Sequence, residues 1–390
     1  MSEQNLTKLR REIRAVDSKV VRLVGKRLGL VRKVGMLKQE LKMPIVDRST
    51  ERVVVENFVT SAIEVGINQE LARRIAKLLI EASVEVQRSM RPKDPTRSQT
   101  EKVAIIGAGG MGSWFARFFK TRGNSVIISD RDPRKAKLVA SRIHVRWAAS
   151  NVEAVKGSDI VVLATPANVT SNIINQILPA IVKNAILVDI SAVKSAVIPA
   201  LRLAERRGIQ VVSIHPMFGP RASSLRGKNV IVVRTGGHSG GSKRSKHWLE
   251  GALPSATTPQ AHDRQTAMTL ALPHFLNLTF AMTLSGKSLA EVRKFAGRTY
   301  DLQILLAQTM ANEPQTTADL LITNKAFRAV LRDLQRNTRL LAKTVNDRNR
   351  ERLIACQRRI REHLTTDPKF AFAEAAFERV CEASSPERNR

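Results

Sequence analysis

A glycine-rich turn constrains the fold of this chain more than any other feature of its sequence. Gly107-Ala-Gly109-Gly-Met111-Gly112 follows the β-branched run 103–106 and precedes a helix-like segment at 113–120. Glycines in this arrangement permit a tight turn and let the backbone approach a pyrophosphate at a helix N-terminus. Strand-like apolar runs recur at 126–130, 159–166, 185–191, 211–216 and 229–233, mostly separated by helical stretches. This alternation predicts an α/β domain with a parallel sheet, and after about residue 260 only helical segments are expected.

The acid that ends the second strand-like run, Asp130, points to the cofactor. It lies about 20 residues after the turn, where a carboxylate can accept hydrogen bonds from the ribose hydroxyls of NAD. Arg131 and Arg134 could instead hold the 2′-phosphate of NADP, which stays open as the alternative. The residues expected at the cofactor are Gly107, Gly109, Met111, Gly112, Asp130, Arg131, Thr165 and Pro166.

The first 90 residues have a different pattern, with apolar residues spaced alternately by three and four over residues 6–41. This spacing predicts one amphipathic helix about 54 Å long, and two more periodic segments follow at about 48–65 and 69–90. A helix of that length exceeds any core that 90 residues could build, so we expect it to pack against a second copy of the chain. Arg27 interrupts the apolar seam, where a lone arginine is costly unless an anion pairs with it.

Further polar residues of this segment fall on shared helix faces. Arg27 and Lys38 are 11 residues apart, close to three helical turns. Arg10 points about 100° away from Arg27, as expected if two copies exchange residues. Two i,i+4 pairs are each expected on one helix face, Asp47 with Glu51 and Ser83 with Gln87.

At these spacings, the seven polar residues resemble the all-helical chorismate mutases of the AroQ type over about residues 5–90. The resemblance implies a three-helix protomer in an intertwined dimer, in which Arg10 serves the partner's site. Arg10 and Arg27 would then bind the carboxylates of chorismate, while Lys38 and Gln87 would face its ether oxygen. The remaining members would hold the ring hydroxyl end or support binding: Asp47, Glu51 and Ser83. Thr50 stands where the bacterial pattern often has an arginine.

The remaining 290 residues resemble the prephenate dehydrogenases of the TyrA type. The motifs that carry this resemblance are Asp189-Ile-Ser-Ala-Val-Lys194, Ser213-Ile-His215-Pro-Met-Phe-Gly-Pro220 and Leu272-Pro-His274-Phe275. The resemblance implies that His215, as a neutral imidazole, accepts the proton of the prephenate ring hydroxyl, and that His274 contacts the substrate side chain. A mutase followed by such a dehydrogenase resembles the bifunctional T-protein family of tyrosine biosynthesis.

The resemblance therefore predicts a multidomain chain with three folded parts. These are an all-α mutase domain (1–92), an α/β Rossmann-like domain (102–258) and an all-α dimerisation domain (259–390), with a linker (93–101) between the first two. We expect a homodimer with chorismate and prephenate as its substrates.

Two positions depart from the dehydrogenase pattern and affect the expected grip on the substrate. Ala192 stands where the family has the serine that orients the catalytic histidine, and Gln308 stands where the family has the arginine that binds the ring carboxylate. Arg293 or Arg298 could replace that arginine. The candidate substrate-binding residues are therefore His274, Arg298 and Gln308. A weakened or arogenate-specific dehydrogenase, or one that oxidises another hydroxyacid, stays open.

The chain is strongly basic, with 65 Lys and Arg against 34 Asp and Glu and a formal net charge of +31. Such an excess of positive charge suggests nucleic acid as a partner. The alternative to an enzyme is therefore a basic nucleic-acid-binding protein on a relic enzyme fold. However, the excess is spread along the chain and only 4% of residues are aromatic. Stacking platforms for single strands are therefore scarce, and we expect small anions rather than nucleic acid.

Three further expectations follow from composition. No uncharged apolar run reaches the roughly 18 residues that a membrane span needs, so no membrane partner is expected. The two cysteines, Cys356 and Cys381, cannot build a disulfide framework, which favours a reducing cytoplasm. Because no group of His, Cys and carboxylate residues has metal-ligand spacing, we expect no metal.

Overall fold

The computed structural model describes residues 3–41, 43–44, 47–89, 100–236, 248–249 and 251–384. It divides into two compact units, Met1–Gln99 and Thr100–Arg390. Most of the predicted linker, residues 93–99, lies outside the described residues, and the predicted domain boundaries stay predictions. Among the described residues, no helix combines the length and the hydropathy that crossing a bilayer requires.

The first unit contains three helices, in agreement with the periodicity of the sequence. They are α1 (Glu3–Glu40), α2 (Arg48–Glu64) and α3 (Gln69–Ser89). Helix α2 begins where the Asp47 side chain accepts the backbone N–H groups of Ser49 and Thr50, as an N-cap does. A small core of Val59, Ala62 and Ala72 joins α2 to α3.

The apolar seam of the first unit, which runs from Leu6 to Leu41, lies on the surface of the single chain. Its ten residues are 45–67% exposed. Soluble chains rarely leave so long an apolar stripe in contact with water unless another surface covers it. The exposure agrees with the expectation that a second copy packs there, which stays a prediction.

The second unit begins with an eight-stranded sheet. Its strands are β1 (Lys102–Ile106), β2 (Ser125–Ser129), β3 (Arg146–Trp147), β4 (Ile160–Leu163), β5 (Ile186–Asp189), β6 (Gln210–Pro216), β7 (Asn229–Val233) and β8 (Leu253–Thr257). Their order in the sheet is β3-β2-β1-β4-β5-β6-β7-β8. The helices between them are α4 (Gly110–Lys120), α5 (Pro133–Ile143), α6 (Asn151–Val155), α7 (Ala167–Ile177) and α8 (Ile198–Arg206).

The expectation of a parallel sheet is wrong for one pair of strands. All neighbouring strands are parallel except β6 and β7, which are antiparallel. No helix lies between these two strands, so the chain turns back beside β6 without the crossover that parallel pairing needs. The sequence also missed β3 and β8. Strand β3 has only two residues and β8 contains Pro254, so neither has the apolar pattern of a buried strand.

Both faces of the central strands are buried, because successive residues of a strand point to opposite sides and helices cover each side. Val103 and Ile105 join a core with α4 on one side, while Ala104 and Ile106 join a second core with α7 on the other. The glycine turn follows directly after the carboxyl end of β1, and it therefore lies at the edge of the sheet where the parallel strands end.

From residue 259 to residue 384 the structure is helical, as the sequence predicts. The helices are α9 (Pro259–Thr266), α10 (Leu272–Thr283), α11 (Leu289–Arg293), α12 (Arg298–Met310), α13 (Pro314–Ala318), α14 (Phe327–Asn346), α15 (Arg350–Leu364) and α16 (Ala373–Ser384). Short π-helical segments, Ala267–Ala271 and Asp319–Thr323, lie among them. Both contribute to a core that includes Ala271, Leu320 and Phe327.

Candidate active sites

The first candidate site lies between α1 and α3. Nη1 of Arg27 donates to the Leu79 carbonyl oxygen at 2.9 Å and to Ser83 Oγ at 2.5 Å. Gln87, one turn beyond Ser83, is also buried, and its Oε1 has no hydrogen-bond partner among the described residues. A buried amide oxygen without a partner is uncommon in a folded protein. The structure therefore brings Arg27, Ser83 and Gln87 together as a polar cluster that can receive a ligand.

Lys38 and Glu51 are half-buried in the same unit, whereas Arg10 is exposed on α1. Arg10 and Arg27 are 17 residues apart on one continuous helix, a separation of about 26 Å. Arg10 therefore cannot reach the Arg27 cluster of its own chain. It stays a candidate for the site of a second copy.

Asp47 is not a helical residue, and in this respect the predicted i,i+4 pair with Glu51 is wrong. Its carboxylate accepts the N–H groups of Ser49 and Thr50 and both of their hydroxyl groups. These hydrogen bonds, led by the one from the Ser49 hydroxyl, lower the pKa of Asp47 to about 2. Thr50, the departure from the mutase pattern, thus supports the N-cap.

The second candidate site begins at the glycine turn. Gly107 has φ +105°, and a Cβ there would lie 2.3 Å from the Ala164 carbonyl oxygen. A Cβ at Gly112 would lie 1.8 Å from the Gly107 carbonyl oxygen. By contrast, the space around Gly109, the N-cap of α4, is open, and no side chain caps the helix there. The turn therefore fits a dinucleotide, because the backbone is compact and the free N–H groups can meet a pyrophosphate.

Asp130 lies beside this turn. Its carboxylate accepts the N–H of Ala108 at 2.7 Å and that of Asp132 at 3.1 Å. Arg131 is exposed, and Arg134 pairs with Asp132 at 3.3 Å. Met111 is half-buried at the start of α4.

The two remaining cofactor candidates, Thr165 and Pro166, precede α7. Thr165 Oγ1 forms a 2.8 Å hydrogen bond with Thr170 Oγ1, and Pro166 is the residue before the helix. Asp319, which lies in the C-terminal helical region, anchors this segment, because its Oδ2 accepts the N–H of Ala167 at 2.6 Å. The sequence did not identify Asp319, which is 152 residues away.

The segment after His215 packs directly against the glycine turn. A Cβ at Gly110 would lie 2.8 Å from Cγ of Pro220. Nε1 of Trp114 in α4 donates to the Ala222 carbonyl oxygen at 2.7 Å, and its ring lies 5.1 Å from that of Phe218. Since β1 and β6 both end at this edge of the sheet, the structure brings the His215 motif beside the expected cofactor site.

His215 itself is buried at the end of β6. Its Nδ1 lies 2.9 Å from Nε2 of His262, and Nδ1 of His262 lies 2.8 Å from Oδ1 of Asp263. Nearby, the fully buried Lys194 donates to Asp189 Oδ2 and to the Ile214 carbonyl oxygen, each at 2.7 Å. Burial, followed by the charge of Lys194 and the effect of His262, holds the pKa of His215 well below its ordinary value. His215 is therefore a neutral base at pH 7.

The sequence did not identify His262 or Asp263. Their only signal is a pair of adjacent titratable residues near the start of an ordinary amphipathic helix. Ser191, the residue before Ala192, donates to the Val193 carbonyl oxygen at 3.3 Å. Ala192 packs against the apolar core of the helical region.

The predicted substrate-binding residues are not gathered into one cluster. His274 is half-buried on α10, where Nδ1 lies 3.0 Å from Thr317 Oγ1 and burial lowers its pKa. Gln308 is exposed on α12. Arg298, also exposed, pairs with Glu378 of α16, so its guanidinium is already engaged by a carboxylate.

Three protein-family models match successive parts of the chain. Residues 9–88 match chorismate mutase type II, residues 115–247 match the prephenate dehydrogenase nucleotide-binding domain, and residues 258–359 match the prephenate dehydrogenase dimerization domain. The chain belongs to the family of fused chorismate mutases and prephenate dehydrogenases. This result confirms the resemblance found in the sequence and the order of its helical, α/β and helical parts.

Relatives support both halves of this family assignment. The T-protein of Haemophilus influenzae is 26% identical over 339 residues, which is 85% of this chain and 84% of that protein. A probable arogenate/prephenate dehydrogenase of Methanocaldococcus jannaschii is 30% identical over 280 residues, 68% of this chain, and the match spans 62% of that protein's length.

Solved structures support the fold of the second unit. Prephenate dehydrogenase from A. aeolicus, crystallised with hydroxyphenyl propionate and NAD+, has a TM-score of 0.55 at 19% identity. The match covers 70% of this chain and all of that chain.

Proposed function

We propose that this chain catalyses two successive reactions of tyrosine biosynthesis. The first rearranges chorismate to prephenate, and the second converts prephenate, with NAD, to 4-hydroxyphenylpyruvate and CO2. The observation that carries the proposal is one chain with two separate chemical sites. One contains Arg27, Ser83 and Gln87, and the other contains the neutral base His215 beside a glycine turn.

The first reaction needs no covalent catalysis, because chorismate rearranges within one molecule. The chain must hold the reactive conformer of a dianion and stabilise the negative charge that develops on the ether oxygen. We assign Arg27 to a substrate carboxylate, since a guanidinium can bind a carboxylate in bidentate geometry. Lys38 and the side-chain amide N–H of Gln87 face the ether oxygen, to which both can donate hydrogen bonds.

The same site takes residues from two copies of the chain. Arg10 of a second copy supplies the other carboxylate contact, and the exposed apolar seam of α1 supplies the surface on which the copies meet. Glu51 and Asp47 hold the ring hydroxyl end, and Ser83 supports binding.

In the second reaction, Nε2 of His215 accepts the proton of the prephenate ring hydroxyl. Bound NAD would accept the hydride from the carbon that carries this hydroxyl. The C–C bond to the ring carboxylate then breaks and CO2 leaves, while the electron pair of that bond completes the aromatic ring. His215 returns its proton to the phenolate oxygen or to water. We assign His274 to the substrate side chain, and the uncharged Gln308 to the neighbourhood of the ring carboxylate.

The glycine turn and Asp130 determine how the cofactor is held. Gly107 and Gly112 keep the backbone compact, Gly109 would leave room for the pyrophosphate, and Asp130 would accept hydrogen bonds from the adenosine ribose. A carboxylate at this position repels a 2′-phosphate, and Arg134 is paired with Asp132. We therefore propose NAD rather than NADP.

A coupled assay tests both reactions in one sample. Purified chain receives chorismate and NAD, and prephenate and NADH are followed separately. We expect prephenate to form first and NADH to follow. R27A should abolish prephenate formation but still oxidise added prephenate, whereas H215N should accumulate prephenate. If wild-type chain forms no NADH from added prephenate and NAD, the dehydrogenase assignment is wrong.

A further inference from the structure

We propose that His262 is a positioning residue of the dehydrogenase site, which holds His215 in the tautomer whose Nε2 is free to take the substrate proton. The proposal rests on the proposed function of His215. It concerns a residue that the sequence motifs do not include and that reaches His215 only through the fold.

The hydrogen-bond donors around Asp263 determine the direction of the chain of bonds. Its Oδ1 accepts the backbone N–H of Lys194 at 2.9 Å, and its Oδ2 accepts that of Ser195 at 2.8 Å. Burial acts to raise the pKa of Asp263, but hydrogen bonds from His262, Lys194 and Ser195 outweigh it and leave the pKa below its ordinary value. Asp263 is thus ionised and can only accept hydrogen bonds.

The tautomers of both histidines follow from this carboxylate. Nδ1 of His262 must carry the proton that it shares with Asp263, so in the neutral ring Nε2 is a lone-pair acceptor. Nδ1 of His215, 2.9 Å from that acceptor, must then carry a proton of its own. The remaining nitrogen of His215, Nε2, is therefore left as the base.

Positioning falls to another histidine because, among the described residues, the serine hydroxyl groups near His215 donate to other groups. Ala192 has only a methyl group, and Ser191 donates to Val193. Helix α9, which carries His262, is itself well anchored. Thr258 caps its first turn, and Nδ2 of Asn324 donates to the Asp263 carbonyl oxygen at 2.9 Å.

The same arrangement balances the charge that His215 gains in the reaction. Lys194 lies on one side and is paired with Asp189, while His262 and Asp263 approach from α9. Lys194 disfavours a protonated His215, whereas Asp263 favours it. When His215 accepts the proton, its Nδ1–H bond to His262 becomes charge-assisted and therefore stronger.

Two substitutions separate positioning from simple packing. In H262Q the longer side chain can place Oε1 near the former Nε2, where it still accepts the His215 Nδ1–H. In H262N the shorter side chain can meet Asp263 but does not reach His215. We expect H262N to lower kcat for prephenate oxidation about 10- to 100-fold, which is less than the roughly 10²- to 10⁴-fold contribution of general base catalysis itself. KM for prephenate should change less than about threefold, and H262Q should recover most of the loss.

Three controls distinguish a loss of positioning from a loss of folded protein. H363N changes an exposed histidine of α15 and should leave kcat unchanged, and the mutase rate of each variant reports the concentration of folded first unit. Melting curves report the thermal stability of the second unit. Wild-type kcat in H262N overturns the proposal, and so does a loss in H262Q as large as that in H262N. An inactive wild-type chain would instead refute the proposed function.

A measurement on the wild-type chain tests the tautomers directly and does not depend on the activity of any variant. Selective 15N labelling of histidine distinguishes the two tautomers by the chemical shifts of the ring nitrogens, with H363N and H262Q used for assignment. We expect both His215 and His262 to carry their proton on Nδ1. A proton on Nε2 of His215 at neutral pH would overturn the proposal.

Discussion

Two glycine substitutions in one turn should separate cofactor binding from folding. At Gly109, φ is −75° and ψ is −171°, an extended conformation that alanine adopts freely, and no atom lies within 4 Å of the added Cβ. G109A should therefore change the free energy of unfolding by less than about 1 kcal/mol. The new methyl group occupies the space left for the pyrophosphate, so KM for NAD should rise at least about tenfold, equivalent to roughly 1.4 kcal/mol of binding free energy.

G112A is the matched substitution three residues along the chain. Its Cβ would lie 1.8 Å from the Gly107 carbonyl oxygen, whereas real Cβ contacts essentially never fall below 3.0 Å. The backbone must therefore move by about 1.2 Å at the end of a strand whose last four residues are almost completely buried. Overpacking of this kind costs about 1–3 kcal/mol, and we expect the melting temperature of the second unit to fall by roughly 2–10 °C.

The assay follows NADH absorbance at saturating prephenate while NAD is titrated, and thermal unfolding is recorded on the same samples. Mutase activity should be equal in wild type, G109A and G112A, because the substitutions lie in the other unit. An unchanged KM for NAD in G109A would refute the placement of the pyrophosphate. A larger loss of stability in G109A than in G112A would refute the steric argument.

Three further predictions concern single side chains. R27A should lower the mutase rate by several orders of magnitude and leave prephenate oxidation intact; a mutase rate near that of wild type would remove Arg27 from the site. H215N should lower dehydrogenase kcat about 10²- to 10⁴-fold. Because the pKa of His215 is depressed, the acidic limb of the wild-type profile of kcat against pH should lie below pH 6.5. A limb above that value would contradict a neutral, buried His215. The stabilisation that the Asp47 cap gives α2 should be complete above about pH 4 and disappear towards pH 2, because its folded pKa of about 2 lies below the ordinary value; calorimetry of D47A against wild type at several pH values measures this difference, and a difference that grows as the pH falls would contradict it.

Local sequence was enough to locate the glycine turn and the three helices of the first unit. Glycine is the one residue that satisfies both the positive φ of Gly107 and the close approach at Gly112, so its presence there already specifies the turn. The period of α1 likewise specifies a helix with one apolar face. These features depend on neighbours within a few residues, which is the range that a sequence pattern reports.

Sheet topology and the partners of the site residues could not be predicted in the same way. Strand β7 pairs antiparallel with β6 because no helix carries the chain across the sheet, and an apolar run does not encode that direction. The N-cap role of Asp47 was also missed, because i,i+4 spacing does not show whether a helix begins at or before the first residue of the pair.

The sequence by itself was enough to predict the family, the two reactions and His215 as the base, since these predictions rest on a resemblance carried by residue types in short, fixed spacing. Only the tertiary structure decided which side chains surround His215. His262 lies 47 residues from His215, and Asp263 meets Lys194 across 69 residues. Contacts over such distances form when β6 and α9 pack together. A donor and an acceptor can form a hydrogen bond only after packing has brought them within about 3 Å of each other.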